Sequence, residues 1–204
     1  MRAAVSTRAH RLGLVLTLAG VSLVVALPVL AHEGGDIAGG FVAGFLHPLF
    51  GFDHVVAMVA VGLWGAVLGS PAIWVLPVAF PIVMALGGAL GVRGVALPGV
   101  EAGIALSAII LGLMVALAVR LPLPAACMLV GFFAIFHGHA HGTELPTAAT
   151  PLAYSLGFVL ATGMLHVSGI ALGETRRWPQ GKLIMRATGG LITAVGVYFL
   201  GGVF

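Results

Sequence analysis

Charge is what this chain has least of. Only 7% of its 204 residues are Asp, Glu, Lys or Arg, where a soluble domain carries roughly 25%, and mean hydropathy is +1.18. A water-soluble globule is excluded. Cysteine is nearly missing too: the lone Cys127 can close no internal disulfide and build no thiolate cage, so any metal chemistry rests on His and carboxylates. The nine Lys and Arg are scattered over a formal net charge of +3 and form no basic stripe, which leaves nucleic acid without an electrostatic footprint. No G-x-x-x-x-G-K-[ST] pattern occurs, since Gly181-Lys182 runs into Leu183 without the upstream Gly, so the phosphate loop of an ATPase is missing. What is abundant is apolar residues, at 60%, and histidine, whose eight copies outnumber the six acids. Ionisable groups are costly in a bilayer and need a reason to be there.

Arg2, Arg8 and Arg11 precede an unbroken apolar run from Leu12 to Leu27, followed by Pro28, Val29, Leu30 and Ala31 with small residues at the −3 and −1 positions. That is the pattern of a cleavable signal peptide, residues 1–31, removed after Ala31. Residues 32–204 then form one domain. Turn residues and charges cut it into apolar blocks: Leu49 to Leu68, Ala72 to Leu90, Val100 to Val119, Leu123 to about His139, Ala149 to Leu172, and Leu183 to Phe204. Each is close to the ~20 residues that a spanning helix needs. The fold expected is an all-α polytopic membrane bundle with six transmembrane helices. Ile37 to Leu46 is too short to span and suits an interfacial half-helix of the kind that lines transporter cavities.

A leader that delivers His32 outside the membrane puts Arg120, Arg176, Arg177, Lys182 and Arg186 inside and Arg93 outside. The positive-inside rule agrees with that orientation, which places the protein in the bacterial inner membrane with both mature termini in the periplasm. Trp64, Trp74 and Trp178 fall near inner helix ends and read as interfacial anchors. Many of the 31 Gly recur at small-xxx-small spacing, as in Gly40/Gly44, Gly65/Gly69, Gly87/Gly91 and Gly169/Gly173, which reads as close helix packing in lipid.

Two segments carry chemistry. His47-Pro48-Leu49-Phe50-Gly51-Phe52-Asp53-His54 opens the first span. Pro48 disfavours helix at the residue before it, so His47 is expected at the lip, while a seven-residue spacing returns His54 to the same face with Gly51 as a notch between them. The second segment, Phe136-His137-Gly138-His139-Ala140-His141-Gly142-Thr143-Glu144, closes the fourth span. His137, His141 and Glu144 stand at i, i+4 and i+7 on one face, and His139 points the other way. Imidazole nitrogen and carboxylate oxygen are the usual ligands of first-row divalent ions, and Gly138 and Gly142 are expected to clear room for one. Counting ~1.5 Å of rise per residue from opposite ends of the two spans sets His137 ~9 Å and Asp53 and His54 ~6 to 8 Å below the outer surface. The clusters share a level.

Here the chain resembles the HupE/UreJ family of nickel or cobalt permeases. His47 to His54 matches the family motif HX5DH, and Phe136 to Glu144 matches FHGXAXGXE, each with no substituted fixed position. The cleaved leader and six helices fit as well, so the likeness extends over essentially the whole chain. It implies import of Ni²⁺ or Co²⁺ as transported ion, with no prosthetic group, for metal enzymes such as hydrogenase or urease. By residue it carries importance onto His47, Asp53, His54, His137 and Glu144. His139 and His141 occupy variable motif positions; spacing favours His141 as a ligand and leaves His139 as a relay.

Weaker candidates remain. His166 lies ~25 Å along the helix from Ala149, either an onward stepping-stone or a helix-bridging hydrogen bonder. His32, beside Glu33 and Asp36, would offer an amine and an imidazole at the mature terminus. Glu101 at a helix N-terminus and Arg93 in a loop call for no functional role. The same ligands would also serve a metal-dependent membrane hydrolase, although no HExxH helix is present, or a metal sensor or accessory subunit that binds ions without moving them.

Overall fold

Apolar runs punctuated by Gly and Pro give an all-helical chain. The computed structural model describes residues 37–144 and 150–203; the expected leader, His32 with Glu33 and Asp36, Ala149 and Phe204 lie outside the described residues. The helices are α1 (Ile37–Phe50), α2 (Phe52–Leu68), α3 (Ala72–Val92), α4 (Val100–Ala116), α5 (Leu123–Thr143), α6 (Pro151–Glu174) and α7 (Gly181–Gly201), with a 3-10 turn at Thr175–Arg177 before α7. Among the described residues no strand occurs. α3, α5, α6 and α7 are each long and apolar enough to cross a membrane, and α1 with α2 makes a fifth candidate span bent by 78°. The chain is a multi-pass membrane protein. α4, expected to run to Val119, stops at Ala116 and its 17 residues fall just short of a full span.

The break between α1 and α2 differs from the expectation. His47 sits within α1 and Pro48 is inside the same helix, which continues to Phe50; the chain turns instead at Gly51, whose φ of −79° and ψ of 101° are extended. Pro only biases its predecessor away from helix, and near a helix end the missing N–H costs a single backbone bond. His47 and His54 therefore stand on two helices and share no face.

With lipid outside, apolar burial gives helices little drive to associate, and small residues that let backbones meet take over. α2 is the central element: every residue from Ala60 to Val67 is buried, and α3, α4, α6 and α7 all pack on it. Trp64 is among these buried residues, its Nε1–H donating to the Val119 carbonyl at 2.9 Å, so it is a core residue and not an interfacial anchor. Trp74 and Trp178 are exposed. The unbroken α6 splints the bent pair, packing along both α1 and α2.

α5 is locked to α3 by interleaved glycines. A Cβ on Gly138 or Gly142 would collide with the Met84 or Gly88 carbonyl, and one on Gly87 or Gly91 with the carbonyl of Ile135 or His139. Gly138 and Gly142 thus bring two helices together and do not clear room for an ion, correcting the reading from spacing. Because each follows a His of the motif, this contact turns the His137 and His141 face about 100° away from α3. Arg120 in the α4–α5 turn lies at the same end of the bundle as Arg176 and Arg177 in the α6–α7 turn and Lys182 in the first turn of α7, and Arg186 Nε, donating to the Ala116 carbonyl at 2.7 Å, ties α7 to the end of α4. Arg93 lies at the opposite end, beyond α3.

Candidate metal centre

Three helix ends deliver the candidate ligands. His47 lies in the last turn of α1, Asp53 and His54 in the first turn of α2, and His137 and His141 near the end of α5, with Glu144 at its C-cap. The C-termini of α1 and α5 both reach this point, and the partial negative charge of a helix C-terminus favours a bound cation. Broken helices place cation sites in transporters by the same device.

The imidazoles form a chain joined at His141. Its Nδ1 is 3.0 Å from His47 Nε2, and its Nε2 is 3.0 Å from His54 Nδ1. On the first side Glu144 Oε2 completes a group, 3.5 Å from His47 Nε2 and 3.9 Å from His141 Nδ1. On the second side His54 and His137 complete another. Within each trio, His47/His141/Glu144 and His54/His137/His141, one ligand atom per residue lies within 4.8 Å of the others. Two nitrogens bound at right angles ~2.1 Å from one ion stand ~3.0 Å apart, so both His141 contacts have the separation of neighbouring ligands.

The groups differ in environment. The Glu144 side chain is 56% exposed and that of His47 33%, whereas His54 and His137 are buried. A cavity of about 370 Å³ joins His47, Gly51, Asp53, Glu101, His137, His141 and Glu144. Phe158 forms an apolar wall, its ring centroid 4.6 Å from that of His141 and 5.2 Å from that of His54. Ser107 Oγ donates to the Ile104 carbonyl and lies 2.9 Å from His137 Nε2, which orients that ring; Thr162 Oγ1 is 3.4 Å from His54 Nε2.

The structure thus brings together His47, His54, His137, His141 and Glu144, and leaves three candidates apart. Asp53 lines the cavity but belongs to neither trio. His139 turns away, its Nε2 2.7 Å from the Val95 carbonyl, where an N–H donates to the α3–α4 loop. His166 is buried against Phe80. His32 lies outside the described residues. Sequence reasoning missed Glu101 and Ser107, which face the site from α4; the available signal was that they are the two polar residues in an otherwise apolar helix.

Residues 10–199 match the family described as HupE / UreJ protein. The chain is also 49% identical, over 179 residues, to Protein HupE of Rhizobium leguminosarum bv. viciae, covering 87% of this chain and 94% of that protein. The chain belongs to the HupE/UreJ family. No solved structure matches it. In this HupE/UreJ protein the two motif segments, 82 positions apart in the chain, are neighbours because α6 holds α1 against α2 while α3 holds α5.

Proposed function

We propose that this HupE/UreJ protein is an inner-membrane permease importing a divalent transition metal, nickel or cobalt, for hydrogenase or urease maturation. What supports this above all is His141, whose two ring nitrogens face two separate ligand trios, one half-exposed with a carboxylate and one buried with imidazole alone. A hydrated ion meets Glu144, His47 and His141 first, with Asp53 and Glu101 adding negative charge to the cavity. Charge attraction steers a cation to such a lining. Exchange of water for nitrogen donors then carries the ion to His54 and His137, with His141 in contact at both stages. In this reading α4 is the sixth span, residues 1–31 are a cleaved leader, and both mature termini face the periplasm. The five cations at the α4–α5 and α6–α7 end then lie in the cytoplasm, in keeping with the positive-inside rule.

The test is flux through sealed vesicles reconstituted with the purified full chain and loaded with a metal-sensitive dye. Outside Ni²⁺ or Co²⁺ should enter without ATP and without any substrate turning over. Binding without entry would leave a sensor or accessory subunit, and hydrolysis independent of a sealed bilayer would point to an enzyme. Because protons compete for the ligand nitrogens and oxygens, uptake should weaken as the outside is acidified. An unchanged rate on acidification would argue against imidazole ligation.

A further inference from the structure

Among the described residues, two histidines lie outside the trios, and while His139 bonds the Val95 carbonyl, His166 is unused. The His166 side chain has no exposure, and neither Nδ1 nor Nε2 has a hydrogen-bond partner. A polar ring left so in an apolar bundle is expensive, and such groups mark ion pathways. Its position gives the reason. Phe158, Thr162 and His166 recur at every fourth residue of α6 and form one stripe: Phe158 walls the histidine chain, Thr162 touches His54, and His166 lies deepest. The Phe80 ring stands between levels, with centroids 5.6 Å from His137 and 5.7 Å from His166. From α3 the Pro77 carbonyl lies near the His166 ring without reaching hydrogen-bond geometry, and it has no helical donor because the residue four positions on is Pro81, which lacks an N–H. The buried trio is therefore continued inward by the Thr162 hydroxyl at His54 and then by the His166 imidazole with the Pro77 carbonyl near it.

We propose that His166, with Thr162 and the Pro77 carbonyl, is a third and inward metal station, which takes a divalent ion from His54 and His137 past the Phe80 ring. This rests on the permease reading. A single nitrogen with neutral oxygens binds a first-row ion more weakly than three imidazoles, which is what release requires: conduction needs sites firm enough to accept an ion and loose enough to let it go. The stripe advances ~12 Å from Phe158 to His166 at 1.5 Å per residue, so the ion is drawn inward along one face of one helix.

The experiment measures Ni²⁺ influx into vesicles against outside concentration, with equilibrium Ni²⁺ binding to the same detergent-purified protein. Three single variants are compared with the natural chain: His166→Phe, which keeps the packing; His166→Gln, which keeps polarity; and Thr162→Val, which keeps shape without the hydroxyl. For both His166 variants the expected result is a maximal rate about tenfold lower or less, the scale of losing a ligand-level interaction, with half-saturating concentration and equilibrium binding within about twofold of the natural chain. Thr162→Val should also lower the maximal rate, by less than either His166 variant. Influx at the natural rate in His166→Phe would overturn the station and leave a packing role. A raised half-saturating concentration at unchanged maximal rate would overturn it as well, by making His166 part of the outer capture. Absence of influx through the natural chain is a different failure, which removes the permease reading itself.

Discussion

The two trios that share His141 make an instructive pair. The outer one, His47, His141 and Glu144, opens to solvent and carries a carboxylate; the inner one, His54, His137 and His141, is buried and wholly imidazole. A carboxylate attracts a dication at a distance and tolerates the waters it still carries, whereas neutral nitrogen in a dry pocket rewards an ion only after those waters leave. In the permease reading proposed above, the difference would give the pair a direction, from capture to dehydration, and His141 would be the residue whose loss damages both ends.

His141→Ala should therefore produce the largest effect, a fall in metal uptake of more than about a hundredfold, since ligands acting as a unit are lost non-additively. Uptake by cells with equal amounts of protein in the membrane is the measurement; a variant retaining a tenth of natural uptake would separate the trios. Next, His54→Ala should weaken equilibrium Ni²⁺ binding more than Glu144→Ala does, while Glu144→Ala should slow uptake more at low than at high ionic strength, its deficit shrinking as salt screens the cavity. Equal deficits at all salt concentrations would remove the steering role of the outer carboxylate. Ser107→Ala, which frees the His137 ring without removing a ligand, should cost about tenfold in binding affinity. The smallest effect belongs to His139→Gln, whose amide can still donate to the Val95 carbonyl; uptake should stay within about twofold, and a greater loss would return His139 to the pathway as a relay.

Packing offers a separate probe of the same comparison. Gly138→Ala removes no candidate ligand but drives a methyl group into the Met84 carbonyl, so α5 must move off α3. Overpacking of this kind costs about 1 to 3 kcal/mol. The expected outcome is a lower midpoint of thermal unfolding in detergent together with weaker metal binding, because His137 and His141 move with the helix. Natural affinity despite lowered stability would show that the inner trio adapts to displacement.

Helix existence and most limits were legible from apolar run lengths, since a bilayer demands a single kind of backbone solution. The join at Gly51 was misread, because the bias that Pro48 places on His47 is weaker than the packing of α1 along α6. The candidate ligands at the end of α5 stood out for a similar reason: intramembrane His and Glu are too costly to be incidental. Glu101 looked like an ordinary helix-start carboxylate, and nothing in one dimension shows that its helix end borders the cavity. Trp64 had the position of an interfacial anchor, but α2 is enclosed on its neighbours' side and the indole found the Val119 carbonyl instead.

By itself the amino-acid sequence determined that this protein is a bundle of apolar helices whose polar chemistry is concentrated in two histidine-rich segments. Hydropathy and the expense of charge in lipid are properties of local composition, so they can be read along the chain. Which nitrogen meets which was decided by tertiary structure alone. The 78° bend at Gly51 and the glycine contact between α3 and α5 set the directions of three helix ends, and a difference of one helical residue, about 100° of rotation, would have turned His141 away from both its partners.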